Sequence, residues 1–168
     1  MTVVVRPLES ADVPAVLAMD NAAVPAVTPL DRKELGELVA LASLAVVAET
    51  EPGEPAGFLI AMDPGVDYGS ENYRWFQARS DSFVYVDRIV VADGHRGTGV
   101  GRALYDAAFA RAREFGRSEV ACEVNVRPAN PESLAFHARL GFERLEEQET
   151  KGGAYRVALL AARLPGAR

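Results

Sequence analysis

Apolar positions along this chain fall into short blocks, and their spacing switches between the period of a strand and that of a helix. Residues 3–5 form a first apolar run, ended by Arg6 and Pro7, which reads as a strand. Ser10 or Asp12 then stands as a cap before Val13, Val16 and Leu17, which share one helical face. The start signal repeats at Thr28, Pro29 and Asp31, read as cap, first helical position and first-turn acid, ahead of Leu35, Leu38 and Val39. Two further apolar runs, residues 44–48 and 57–62, flank a segment rich in proline and glycine and predict a β-hairpin.

Residues 63–81 break this pattern with glycine, polar and aromatic residues at no sustained period, and predict a long loop with one helical turn. Aromatic content opposes disorder, and a loop of that length in a compact domain commonly serves binding. Tyr73, Trp75 and Phe76 are therefore candidate substrate contacts on a lid, the alternative being aromatics packed over the core.

Residues 83–91 are β-branched or aromatic except at Asp87 and Arg88, as expected of a strand buried on both faces but for one point. A helix follows over 101–115, with Ala103, Leu104, Ala107, Ala108 and Phe115 on one side and Gly116 as its stop. Residues 120–126 are the next strand. Asn130 and Pro131 start another helix, which ends at Gly141 with Phe142 placed to pack back. Residues 143–148 and 155–164 supply two final strands around Lys151, Gly152 and Gly153. The expected order, β-α-α-β-β-β-α-β-α-β-β, is a mixed α/β fold in a single domain over 1–168.

Composition narrows the function classes. The length suits one domain, and 49% hydrophobic residues are enough for a sizeable core. A net charge of -6 gives no electrostatic reason for binding nucleic acid or an anionic membrane, although Arg96 and Arg102 form a local basic patch. The single cysteine, Cys122, has no partner for an internal disulfide and offers no thiolate cluster, so no metal site is expected. The N-terminal residues lack the apolar core of a signal peptide and no run approaches the ~20 apolar residues of a membrane span; a cytoplasmic location is expected.

The segment after the strand at 83–91 carries the chemistry. Arg96, Gly97, Thr98, Gly99, Val100, Gly101 and Arg102 lie where a helix begins, so unpaired amides and the positive end of the helix dipole converge on an anion. A P-loop would need a lysine and a hydroxyl residue that are missing, and a dinucleotide fingerprint would need glycine where Arg102 stands. What remains is an arginine, two residues, a glycine, one residue and a glycine, a nest that suits pyrophosphate.

These residues resemble the acetyl-CoA signature of the GNAT acetyltransferase superfamily, in which Arg or Gln is followed three and five residues later by Gly and by Gly or Ala. Arg96, Gly99 and Gly101 match it. A second signature of that superfamily is matched by Asn130, Ser133, Phe136, His137 and the run Leu140, Gly141, Phe142. The resemblance implies a GNAT-like fold, a mostly antiparallel sheet with splayed fourth and fifth strands flanked by helices. It implies acetyl-CoA as cofactor, with Ile89, Val90 and Val91 offering backbone groups to the pantetheine arm. It also implies transfer to an amine of a small molecule or peptide by direct attack in a ternary complex; a homodimer is left open. The rival reading is a non-catalytic acyl-CoA-binding or sensing module.

Acetyl transfer requires a neutral amine, although a free alkylamine has a pKa of roughly 10, so a base must take a proton. Asp87 and Glu123 are the candidates, each a carboxylate in an otherwise apolar strand where burial is unfavourable unless the group is paired or functional. Pairing of Asp87 with Arg88 or Arg127 is the structural alternative. Asn125 matches the glutamate position of some amino-terminal acetyltransferases more closely than Glu123 does, and is a candidate on the acceptor side. Many relatives carry a tyrosine acid where His137 stands, so His137 is the candidate proton donor to the CoA sulfur, the alternative being a histidine that only packs beside CoA. Cys122 reads as an inert buried thiol. For His95 the alternatives are solvent exposure and a phosphate contact.

Overall fold

A computed structural model of the chain describes residues 2–166. Strands β1 (Val4–Pro7), β2 (Leu44–Glu51), β3 (Glu54–Met62), β4 (Phe83–Val91), β5 (Glu119–Arg127), β6 (Glu143–Thr150) and β7 (Tyr155–Arg163) form one sheet in the order β1-β2-β3-β4-β5-β7-β6. Helices α1 (Val13–Ala22), α2 (Arg32–Leu41) and α3 (Glu71–Arg79) cover one face, and α4 (Val100–Glu114) and α5 (Pro131–Arg139) cover the other. Alternation along the strands feeds both layers. Val84 and Val86 meet Leu104 and Tyr105 of α4, whereas Phe83 and Tyr85 meet Tyr73 and Phe76 of α3. This is the mixed α/β, GNAT-like architecture expected from the sequence.

One pairing interrupts the antiparallel sheet. β4 and β5 run parallel, and their ladder holds only Phe83 with Glu119, Val84 with Val120 and Tyr85 with Ala121. Beyond Tyr85, β4 stays bonded to β3 while β5 stays bonded to β7 as far as Arg127, so the two strands part. A β-bulge lies at the parting: Ile60 pairs with Arg88 and Ala61 with Val86, which makes Asp87 the extra residue. A bulge bends its strand and raises its twist. It also resets the alternation of side chains, so that Asp87 and Arg88 both reach partners on the α1 and α3 face, Tyr68 and Asp20 respectively.

Two local expectations are corrected. Residues 63–81 are not a long loop: α3 occupies Glu71–Arg79, with the Ser70 hydroxyl accepting the Tyr73 amide at 3.2 Å. Tyr73 and Phe76, three residues apart, are 1% and 0% exposed and stack into Phe83 and Tyr85 at centroid distances of 5.4–6.4 Å. Three aromatics in nine residues, poor helix formers, hid the helical period. The second correction concerns α2, which is capped by Asp31 and not Thr28. Asp31 Oδ1 accepts the Glu34 amide at 2.8 Å, and the Glu34 carboxylate accepts the Asp31 amide in return at 3.4 Å. Thr28 serves a distant partner instead, its hydroxyl accepting from Arg88 at 2.6 Å. Among the described residues no helix is long and apolar enough to cross a membrane.

Candidate active site

Where β4 and β5 part, a cleft of about 1060 Å³ passes through the sheet. Both strands turn backbone groups without ladder partners into the gap, since their pairing stops at Tyr85 and Ala121. One mouth opens between α4 and α5, and the other faces the segment joining α1 to α2 and the residues before α3.

The first mouth holds the glycine loop. Gly97 and Gly99 have φ of 75° and 90°, the left-handed region open to glycine, and a Cβ on either would meet nothing within 4 Å. Gly99 is the N-cap of α4, and the first helical amide bond after it is from Ala103 to the Gly99 carbonyl at 3.0 Å. The amides of Val100, Gly101 and Arg102 are therefore the free donors of a fifteen-residue helix. A Cβ at Gly101 would lie 2.9 Å from Phe136 Cζ, so glycine there lets α5 close on α4. Arg96 is 62% exposed, with only long ion pairs to Asp93 at 3.6 Å and Glu132 at 4.0 Å. An open backbone cradle with an exposed, weakly paired arginine beside it fits the pyrophosphate of CoA. Thr98 and Val100 offer it backbone alone: the Thr98 hydroxyl donates to the His95 carbonyl, and Val100 packs beside Gly57 in the core.

The second mouth holds the carboxylates. Glu123 follows Cys122 and precedes Val124, both in the core under α4, so it projects toward the opposite face with Asn125. Its Oε2 accepts the Tyr85 hydroxyl at 2.7 Å. Burial and then the negative charge of Asp87 push the Glu123 carboxyl up to about 8, against hydrogen bonds from Tyr85 and Asn72 and the positive charge of Arg88. Asp87 accepts the Tyr68 hydroxyl at 2.6 Å and lies 3.4 Å from Arg88 Nε. Burial raises it as well, opposed by Tyr68 and Arg88.

His137 takes an unexpected part. Its Nδ1 is 2.7 Å from the Ser133 carbonyl, which can only accept, so the ring proton sits on Nδ1. Nε2 then accepts the Tyr105 hydroxyl at 2.6 Å. Burial pushes the imidazole toward the neutral form, and at 3% exposure both nitrogens are engaged within the protein. The Tyr105 hydroxyl also meets the Cys122 thiol, whose pKa is raised by burial and by the charge of Glu123. A raised thiol pKa means little thiolate, in keeping with an inert cysteine.

The sequence profile of the acetyltransferase (GNAT) family matches residues 17–142. The chain belongs to that family. GNAT enzymes take their acyl group from acetyl-CoA. Solved GNAT folds superpose along nearly the whole chain. The Ard1 protein of Thermoplasma volcanium is 17% identical, with a TM-score of 0.79 over 98% of this chain and 99% of that one. The ribosomal-protein-S18-alanine N-acetyltransferase of Escherichia coli is 19% identical, with a TM-score of 0.73 over 99% and 97%. The Salmonella typhimurium protein yncA, solved with its cofactor acetyl-CoA, is 20% identical, with a TM-score of 0.73 over 100% and 97%. No curated protein matches the chain by sequence.

In this GNAT chain the cleft gathers most of the residues singled out from sequence. Asp87, Ile89, Val90 and Val91 line it from β4, and Glu123 and Asn125 from β5. Arg96, Gly97, Gly99, Gly101 and Arg102 line it from the loop and α4, with Asn130, Ser133, Phe136 and His137 from α5. Tyr73, Trp75 and Phe76 do not, because α3 turns Tyr73 and Phe76 into the core and packs Trp75 edge-on against Phe76. Tyr68 and Asn72 of the same segment line the cleft in their place. Sequence reasoning also missed Tyr105, although it lies one helical turn after Gly101, and the segment from Pro25 to Thr28, which gave no chemical signal.

Proposed function

We propose that this protein transfers the acetyl group of acetyl-CoA to a primary amine of a small molecule or peptide, by direct attack in a ternary complex. The observation that carries this reading is a single cleft with a phosphate cradle at one mouth and Glu123 at the other. Bound acetyl-CoA supplies a thioester carbonyl open to attack by nitrogen. The arriving ammonium has two protons to lose. Glu123, held by Tyr85, takes the first, and a pKa near neutrality suits a base that must both accept and release a proton. The nitrogen then bonds to the acetyl carbon as the carbon–sulfur bond breaks, and its second proton leaves with the sulfur. Asp87 acts on Glu123 through its charge. His137, with Nδ1–H given to Ser133, orients the start of α5 beside the cofactor and does not serve as the acid.

Thiol release from saturating acetyl-CoA against amines, amino sugars and peptides tests the reading, with a Cys122→Ser control for reaction of that thiol with the reporter. Turnover above hydrolysis for at least one amine is expected, and hydrolysis alone across the panel overturns it. The committed His137 ring favours a second reading, a non-catalytic acyl-CoA sensor. That reading requires tight CoA binding with background turnover unchanged by Glu123→Gln.

A further inference from the structure

The acceptor mouth is more negative than a reaction with a simple amine requires. Two carboxylates, Asp87 and Glu123, line it, and the one guanidinium beside them, that of Arg88, is already paired with a third, the fully buried Asp20 behind the cleft. Arg88 is tethered: Nη1 reaches Asp20 Oδ1 at 3.0 Å and the Thr28 carbonyl at 2.6 Å, and Nη2 reaches the Thr28 hydroxyl at 2.6 Å. Only Nε approaches Asp87, at 3.4 Å and without a hydrogen bond. The Asp20 side chain is 0% exposed, yet its Oδ2 has no partner among the described residues. Tyr68 and Tyr85 hold Asp87 and Glu123 by hydroxyl dipoles and bring no compensating charge. With Arg88 held by Asp20 and Thr28, Asp87 lines the cleft without a full charge partner, and an arriving cation relieves the cost of burying it.

The mouth is also fenced. Asn125 Nδ2 donates to the Pro25 carbonyl at 3.0 Å, tying β5 to the segment between α1 and α2. Gln148 Nε2 donates to Asn72 Oδ1 at 3.1 Å, and the Lys151 amide to Glu71 Oε2 at 3.0 Å, tying the end of β6 to the start of α3. A peptide acceptor extends about 3.3 Å per residue from its reacting nitrogen and needs an open trough. These bridges narrow the mouth from two sides, which favours a compact acceptor. The cation at its rim, Lys151, is exposed and rests its ammonium 4.6 Å from the Tyr155 ring centroid.

We propose that the acceptor is a compact amine bearing a second positive charge, a short diamine being the simplest, with its reacting nitrogen at Glu123 and its second cation at Asp87 and Tyr68. This rests on the acetyl-transfer reading and names the substrate class of that site. A wild-type assay at saturating acetyl-CoA compares α,ω-diamines of two to six carbons with monoamines of equal length, an α-amino acid and a tetrapeptide amide. The best diamine is expected to exceed its matched monoamine by about tenfold or more in kcat/KM. Asp87→Asn is expected to bring that ratio toward one; should the variant not fold, the wild-type ratio decides alone. Equal rates for diamine and monoamine, or preference for the amino acid or the peptide, overturn the proposal. If no amine releases CoA, the transfer reading falls by itself. Calorimetry of the best-fitting diamine with CoA-loaded protein then judges the site: binding supports the proposal and no binding ends it.

Discussion

Tyr105 of α4 donates its hydroxyl proton to Nε2 of His137 on α5 across 2.6 Å, and the two rings are 0% and 3% exposed. This bond joins the two helices that frame the cofactor mouth and leaves His137 neutral, with its one ring proton on Nδ1 and donated to the Ser133 carbonyl. Nitrogen NMR of the histidine rings is expected to show the Nδ1–H tautomer for His137 at pH 7. Tyr105→Phe strands a buried acceptor, a loss of about 1–3 kcal/mol in urea unfolding. A fully stable Tyr105→Phe variant would contradict the pairing.

The pH profile should report Glu123. The base form is needed, so kcat/KM is expected to rise with pH through about 8. Asp87 raises Glu123 by its negative charge, with Tyr85, Tyr68 and Arg88 facing the same carboxylates. Asp87→Asn therefore moves this limb to lower pH. Glu123→Gln removes the limb and lowers kcat/KM by about 10²–10⁴-fold. A limb that persists unmoved in both variants would take the base role from Glu123.

The same carboxyl should weaken the fold at high pH. Its pKa in the folded protein lies above the ordinary 4.5, so the stability it contributes is full below that value and is lost as pH rises through about 8. Glu123→Gln stays neutral. The melting temperature of the variant relative to the wild type is expected to be higher at pH 9 than at pH 5, read from paired thermal melts.

Glycines in different settings should respond with opposite signs. Gly99 caps α4 at φ 90°, and Gly99→Ala places a side chain in the left-handed region at a strain of about 1–2 kcal/mol on the surface meant for the pyrophosphate. Lower stability is expected, with CoA affinity falling about tenfold by calorimetry. Gly36 lies exposed inside α2, where a Cβ would meet nothing within 4 Å. Gly36→Ala should stabilise by about 0.5–1 kcal/mol and leave CoA binding unchanged.

Most of the fold was legible because its signals are short in range. Asn130 caps α5 through the Ser133 amide, and Gly116 and Gly141 take φ of 66° and 93° at the helix ends where they were expected. The segment that forms α3 was misread because Tyr73 and Phe76 owe their positions to Phe83 and Tyr85 on a neighbouring strand. Thr28 looked like a cap for the same reason: its true partner, Arg88, is 60 residues away.

The cofactor cradle was determined by the sequence itself. Arg96 to Gly101 are contiguous, and a nest of amides at a helix start depends on local backbone angles that glycine permits at Gly97 and Gly99. The sequence also named Asp87, Glu123 and His137, but not their states. Tertiary structure decided those, because a titrating group takes its pKa from burial and neighbours. Tyr68 is 19 residues from Asp87, Tyr85 is 38 from Glu123, and Tyr105 is 32 from His137. The bulge at Asp87 turned that carboxylate and Arg88 to one face, and only the folded sheet carries that register.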